Sequence, residues 1–302
     1  MEQSLPRRPF DQFRNTPQLA AGLLLIAVWW PLAWGEFGSI SHYYFFPLWL
    51  GYVLSVDGLV WLRRGTSPLV RLGWSYPLVF VISAPFWWMF EFLNRTLTNW
   101  SYITPWDYGL VGRTIIGSFS FATVIPAVLT TAELLWTFIG SDRGGVRLRL
   151  GRNGLIGAHI AGWLMLISMM IWPEYLFPFC WLSVLFILDP IARALGATTI
   201  STLFERGRTG PLLSLAAAGL VCGWFWEMWN YLAMPKWIYS VPHVGFLHVW
   251  EMPILGYGGY IPFAFEIFAF YVLVVAALPW LGLEPDPKSG RPQIDPVEGR
   301  FL

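Results

Sequence analysis

The chain is 302 residues long, 56% apolar and 18% aromatic, and only 12% of its residues are charged. That is about half the charged share of a water-soluble domain, too little to cover a surface facing water, so the surrounding solvent must be chiefly lipid. Nineteen Lys and Arg against eighteen Asp and Glu leave a net charge of +1, which provides no basic face for nucleic acid.

A polar N-terminal segment, 1–17, carries Arg7, Arg8 and Arg14 without a small-residue cleavage motif, so no removable signal peptide is expected. Eight stretches then reach the length of about 20 residues that a membrane span requires: 18–35, 43–62, 76–97, 114–139, 154–172, 175–194, 211–233 and 253–281. A basic linker, 141–153, separates the fourth from the fifth, and the Pro- and acid-rich tail, 282–302, is expected to be disordered and cytoplasmic. With both termini inside, sixteen Lys and Arg fall on cytoplasmic segments and three, Arg95, Arg113 and Lys236, on outer ones, as the positive-inside rule requires. The expected fold class is all-α, a multi-pass protein of the cell membrane. Cys180 and Cys222 lie in apolar runs, so no disulfide framework is expected, and four histidines are too few for a His-rich di-iron oxygenase.

The second half restates the first. Spans 2 and 6 each carry Phe-Pro, then a Trp and an Asp eight residues on: Trp49 and Asp57, Trp181 and Asp189. Spans 3 and 7 match Trp88, Glu91 and Asn94 to Trp224, Glu227 and Asn230, 136 residues apart. The next loops hold Trp100, Tyr102 and Pro105 against Trp237, Tyr239 and Pro242, and spans 4 and 8 share Ile125-Pro126 and Ile261-Pro262, each followed by an acid, Glu133 or Glu266. These matches predict two tandem four-helix units, 18–140 and 154–281. Since four is even, both units run the same way through the bilayer, related about an axis along its normal.

Six acids fall within spans, Asp57, Glu91, Glu133, Asp189, Glu227 and Glu266, whereas no Lys or Arg lies deep within one. A charged carboxylate at the bilayer centre costs about 2.5–3.5 kcal/mol on insertion scales. Such an acid therefore faces the bundle interior, and in an apolar chamber it can hold a proton and act as a Brønsted acid. Helical spacing puts Trp224, Glu227 and Asn230 on one face, and Trp88, Glu91 and Asn94 on another. An amide one turn away orients the acid, and aromatic faces stabilise a cation. The bland alternative is that the Glu–Asn pairs only bond neighbouring helices; Asp57 and Asp189, beside Arg63, Arg64 and Arg193, read as caps or ion-pair anchors. His243, His248 and Glu251 cluster in the second outer loop, but their spacing matches no standard metal motif, and neither a metal nor another cofactor is expected.

From Trp226 to Glu266 the order is an acid on a span, Trp237-x-Tyr239-x-x-Pro242, Gly245, then Glu251 and Pro253 leading into the next span. This pattern resembles the lycopene cyclase domain of small membrane-embedded carotenoid cyclases. The likeness covers about fifty residues, with a weaker copy at Trp88 to Glu133, and it attaches to Trp237, Tyr239, Pro242 and Glu251. The family's Pro-x-acid-acid motif is absent, since no acid follows two residues after Pro253. The resemblance implies a cofactor-free isomerase that protonates a terminal double bond of a lipid-soluble polyene, lets the cation cyclise, and removes a proton. On that reading Glu227 and Glu251, with Asn230, Glu91 and Asn94, are the catalytic candidates, and Trp224, Trp226, Trp237, Tyr239, Trp88 and Glu266 line the chamber. A proton-coupled transporter and a non-catalytic scaffold remain as the other readings of the same pattern.

Overall fold

A computed structural model describes residues 16–104, 106–140, 144–145, 147–281 and 294–302. The expected N-terminal segment up to residue 15, Pro105, Arg143, Lys288 and Arg291 lie outside the described residues.

The protein is nearly all helix, with eight candidate membrane-spanning segments: Pro17–Gly35, Phe45–Arg64, Pro68–Leu97, Gly109–Ile139, Arg152–Ile171, Pro173–Ala194, Thr209–Tyr231 and Ile254–Ala277. It is a multi-pass membrane protein. The helices are α1 (Pro17–Gly35), α2 (Phe45–Arg64), α3 (Pro68–Leu72), α4 (Tyr76–Leu97), α5 (Gly109–Phe121), α6 (Val124–Ile139), α7 (Arg152–Ile171), α8 (Pro173–Leu176), α9 (Cys180–Ala194), α10 (Ile200–Glu205), α11 (Thr209–Tyr231) and α12 (Tyr260–Ala277). Two short antiparallel ribbons interrupt the helical pattern: β1 (Trp100–Ile103) pairs with β2 (Lys236–Tyr239), and β3 (His248–Val249) with β4 (Met252–Pro253).

The core forms where α2 packs on α6, α6 on α11, α11 on α12 and α12 on α9, while α1 lies against α2 and α7 against α9 at the periphery. Close approach has a residue-level cause at Gly22, where an added Cβ would sit 2.5 Å from the Ser55 backbone nitrogen; small residues let transmembrane backbones meet. The helix prolines Pro47, Pro126 and Pro262 start helices, since each falls in a first turn, where the missing N–H has no intrahelical partner to lose.

Four of the six intramembrane acids take their bonds away from the β1–β2 ribbon. Asp57 accepts bonds from the Ser67 hydroxyl (2.7 Å) and the Leu69 amide (2.9 Å), and Asp189 from the Ser201 amide (3.1 Å), so each carboxylate caps the short helix after its own span. Glu133 has a basic counterpart after all: Arg71, on α3, donates to it at 2.6 Å, and the Phe301 and Leu302 amides add bonds of 2.9 and 3.2 Å. Glu266 is buried between α9 and α12, with a 3.4 Å bond from the Leu185 amide.

The chain end corrects a second expectation. Residues 294–302, read as part of a disordered tail, dock on the bundle. Phe301 and Leu302 are fully buried, Phe301 packs edge-on against Phe268, and Arg64 donates to the Gly299 and Glu298 carbonyls at 2.6 Å. Two terminal apolar side chains and a shared carboxylate outweigh the polarity of the segment's other residues.

Candidate active site

Two carboxyls hang from the β1–β2 ribbon. Its register places Trp100 opposite Tyr239 and Tyr102 opposite Trp237. Each strand is fastened to the helix before it by one asparagine. Asn94 donates to the Trp100 carbonyl (2.8 Å) and accepts from the Asn99 amide (2.9 Å), while Asn230 donates to the Trp237 carbonyl and accepts from its amide, both at 2.8 Å. The asparagines are therefore positioning residues, and neither lines the cavity described below.

The ribbon's tyrosines reach back to the acids. Tyr102 donates to Glu91 Oε1 at 2.6 Å and Tyr239 to Glu227 Oε1 at 2.8 Å. Around Glu227 the bonding has a defined direction. An indole N–H only donates, so the Trp237 Nε1 to Tyr239 contact of 2.9 Å makes the phenol the acceptor there and leaves its own hydrogen for Glu227. Tyr260, from α12, meets the same oxygen at 2.5 Å. Glu227 is fully buried, its Oε2 has no hydrogen-bond partner, and no Lys, Arg or His pairs with it among the described residues. Glu91 differs. The Trp87 and Trp100 indoles (2.9 and 3.1 Å) join Tyr102 on its Oε1, and it lines a cavity directly.

That cavity, of ≈ 990 Å³, lies where the two halves face each other. Trp87, Trp88, Glu91, Trp100 and Tyr102 line it from the first half of the chain, and Trp181, Trp226, Trp237, Tyr239, Tyr260 and Phe263 from the second. Its volume is at the upper end for small-molecule sites, and half of the residues that line it are aromatic. Burial and the neighbouring Glu227 charge push the Tyr239 phenol well above its usual range, so it remains a neutral donor.

Of the residues singled out in the sequence, Trp88, Trp226, Trp237, Tyr239 and Glu91 line this cavity, and Glu227 adjoins it through Tyr239 and Tyr260. Three lie elsewhere. Glu251 is held at 2.5 Å by Lys236, Trp224 is half exposed against Trp250 and Tyr257, and Glu266 sits between α9 and α12. His243 stacks on Tyr175 and lies 3.8 Å from Glu174; among the described residues no three His, Cys, Asp or Glu side chains gather as metal ligands. Tyr260 and Trp87 were missed as site residues. A signal for both existed 136 residues apart, where Trp87 stands against Gly223 and Val124 against Tyr260. A Cβ on Gly223 would fall 2.3 Å from the Tyr260 ring, so the space that Trp87 occupies beside one acid is filled beside the other by a tyrosine from the next span.

Comparison with family models, curated proteins and solved structures finds no match.

Proposed function

We propose that this protein is a membrane-embedded, cofactor-free isomerase of the carotenoid-cyclase type, which cyclises an isoprenoid polyene by adding and then removing a proton. The observation that carries the reading is Glu227: a fully buried carboxyl with no basic partner among the described residues, joined by two tyrosine hydroxyls to the wall of an aromatic-rich cavity. Glu227 supplies the proton through Tyr260, taking its place on the phenol as the phenol's own hydrogen passes to a terminal carbon–carbon double bond. The resulting tertiary cation is attacked by an internal double bond, closing a ring, and the new cation loses a neighbouring proton to Glu91. Three donors fixed on Glu91 Oε1 favour that carboxyl as the base. The substrate gains one proton and loses one, as an isomerisation requires, and the enzyme is reset when Glu91 releases its proton and Glu227 takes one up. Indole and phenol faces steady the cation, and the scarcity of polar groups guards it against capture by water.

The same reading takes the chain as two parallel four-helix units in the cell membrane with both termini cytoplasmic. It is supported by the matching Asn–strand and Tyr–Glu bonds and by the ribbon register, whose diagonals exchange equivalent residues. A proton-coupled carrier needs a relay of acids free to load and release protons across the membrane, whereas Asp57, Asp189 and Glu133 are each bonded in place away from the ribbon; a scaffold has no use for a chamber this large.

The test is expression in a bacterium that accumulates lycopene, followed by chromatography of extracted pigments. Ring-bearing products are expected, and Glu227→Gln should lower their rate of formation by about 10²–10⁴-fold. A pigment profile unchanged by well-expressed wild-type protein removes the carotenoid substrate.

A further inference from the structure

The face of the bundle that carries β1 and β2 holds three Lys or Arg side chains among the described residues, Arg95, Arg113 and Lys236, and all three wall the cavity. The described residues of the opposite face carry Arg63, Arg64, Arg71, Arg147, Arg149, Arg152, Arg193, Arg206, Arg208 and Arg300. Acids of the strand face are placed differently. Asp107 and Glu251 stand behind Arg113 (3.4 Å) and Lys236 (2.5 Å) without lining the cavity, so Glu91 is the one acid on the wall against three cations.

Arg95 is the informative one. It lies one helical turn beyond Glu91, the spacing of an intrahelical ion pair, yet Glu91 is satisfied by two indoles and a phenol, and Arg95 has no acid partner among the described residues. Its guanidinium carbon lies over the Phe92 ring, 5.9 Å from the centroid. A planar fork of unpaired donors on a cavity rim suits a carboxylate or phosphate, which it binds bidentately.

We infer that the ligand is an isoprenoid with one anionic end, a phosphate ester or carboxylate, whose charged group is held at the rim by Arg95, Arg113 and Lys236 while its chain fills the aromatic chamber. This assignment rests on the isoprenoid reading above and narrows its substrate class. The body of the chain lies against Trp88, Trp226 and Phe263, and the anion pairs first with Arg95, the wall cation that has no acid partner among the described residues, while Arg113 and Lys236 already face Asp107 and Glu251. A wholly apolar polyene such as lycopene can fill the same chamber and undergo the same ring closure, but it leaves the Arg95 guanidinium without an anion.

The experiment uses the full-length protein in lipid nanodiscs, with quenching of cavity tryptophans as the readout. Geranylgeranyl monophosphate is compared with geranylgeraniol, which has the same chain without charge, and each is repeated with Arg95→Ala and Arg95→Lys. The phosphate should bind at least about tenfold tighter than the alcohol. Arg95→Ala should remove most of that preference while leaving alcohol binding intact, and Arg95→Lys should restore part of it. Equal binding of phosphate and alcohol, or a preference unchanged in Arg95→Ala, overturns the inference. Dioleoyl phosphatidic acid competing as well as the isoprenyl phosphate also overturns it, by assigning the rim to ordinary lipid headgroups; inorganic phosphate failing to displace the ligand supports it. Glu227→Gln separates this result from the catalytic reading, since it should abolish ring formation and keep the phosphate preference. Rings without a preference sink only the present inference, and a preference without rings sinks only the cyclase.

Discussion

Gly223 sets the surroundings of an acid by what it lacks. Because a methyl there would overlap the Tyr260 ring, Gly223→Ala should push the phenol off Glu227 and lower product formation by about a hundredfold, the scale of loss known for small misplacements. Tyr260→Phe, which keeps the ring and removes the hydroxyl, should match that loss in a rate assay without disturbing the fold. Asn230 makes the converse case of a polar residue acting on structure. Asn230→Ala frees both the Trp237 amide and its carbonyl, so thermal unfolding in detergent should reveal a loss of about 1–3 kcal/mol. At this scale the sequence was partly legible. The matched Glu–Asn pairs at 136 residues mark both acids, but the amides do not orient them as expected: each asparagine bonds strand backbone instead of its glutamate. Glu251 misled because its partner, Lys236, becomes a neighbour only once the loop folds through β2 and the turn between β3 and β4.

Elements were read well where hydrophobic length alone defines them. The expected span 76–97 coincides with α4, and 18–35 differs from α1 by one residue. Where two segments share one apolar run, length could not find the joint: 114–139 proved to be α5 and α6 separated at Ala122 and Thr123. The distinction has physical content, since α5 buries no residue whereas α6 buries most of its first ten. Amide exchange followed by mass spectrometry should therefore show 109–121 exchanging faster than 124–139, because segments with few buried contacts open at low cost. The strands escaped detection because four residues with one alternation carry almost no periodic signal. On the opposite face, Arg71 on α3 is tied to Glu133 with 10% and 0% side-chain exposure. Arg71→Ala leaves a buried carboxyl without its cation and should cost about 3–5 kcal/mol, read as a lowered unfolding temperature.

For the molecule as a whole, composition and the spacing of apolar runs sufficed to identify a multi-pass helical protein. The cavity was beyond the sequence, because it depends on which faces of α2, α4, α11 and α12 meet. One pH effect follows from the ribbon. Tyr239 is raised above its unfolded value, so the folded state favours the neutral phenol; that contribution to stability is complete below about pH 10 and is lost as the pH rises beyond it. Unfolding temperature against pH should fall on the alkaline side, and less steeply in Tyr239→Phe.

The ribbon has a mechanical consequence. Since Tyr102 and Tyr239 stand on hydrogen-bonded strands and each grips one carboxyl, the separation of the two acids is gauged by a peptide ladder instead of by the packing of helices in a soft bilayer. A shift of one helix against another thus meets the resistance of backbone hydrogen bonds before it can draw these two side chains apart.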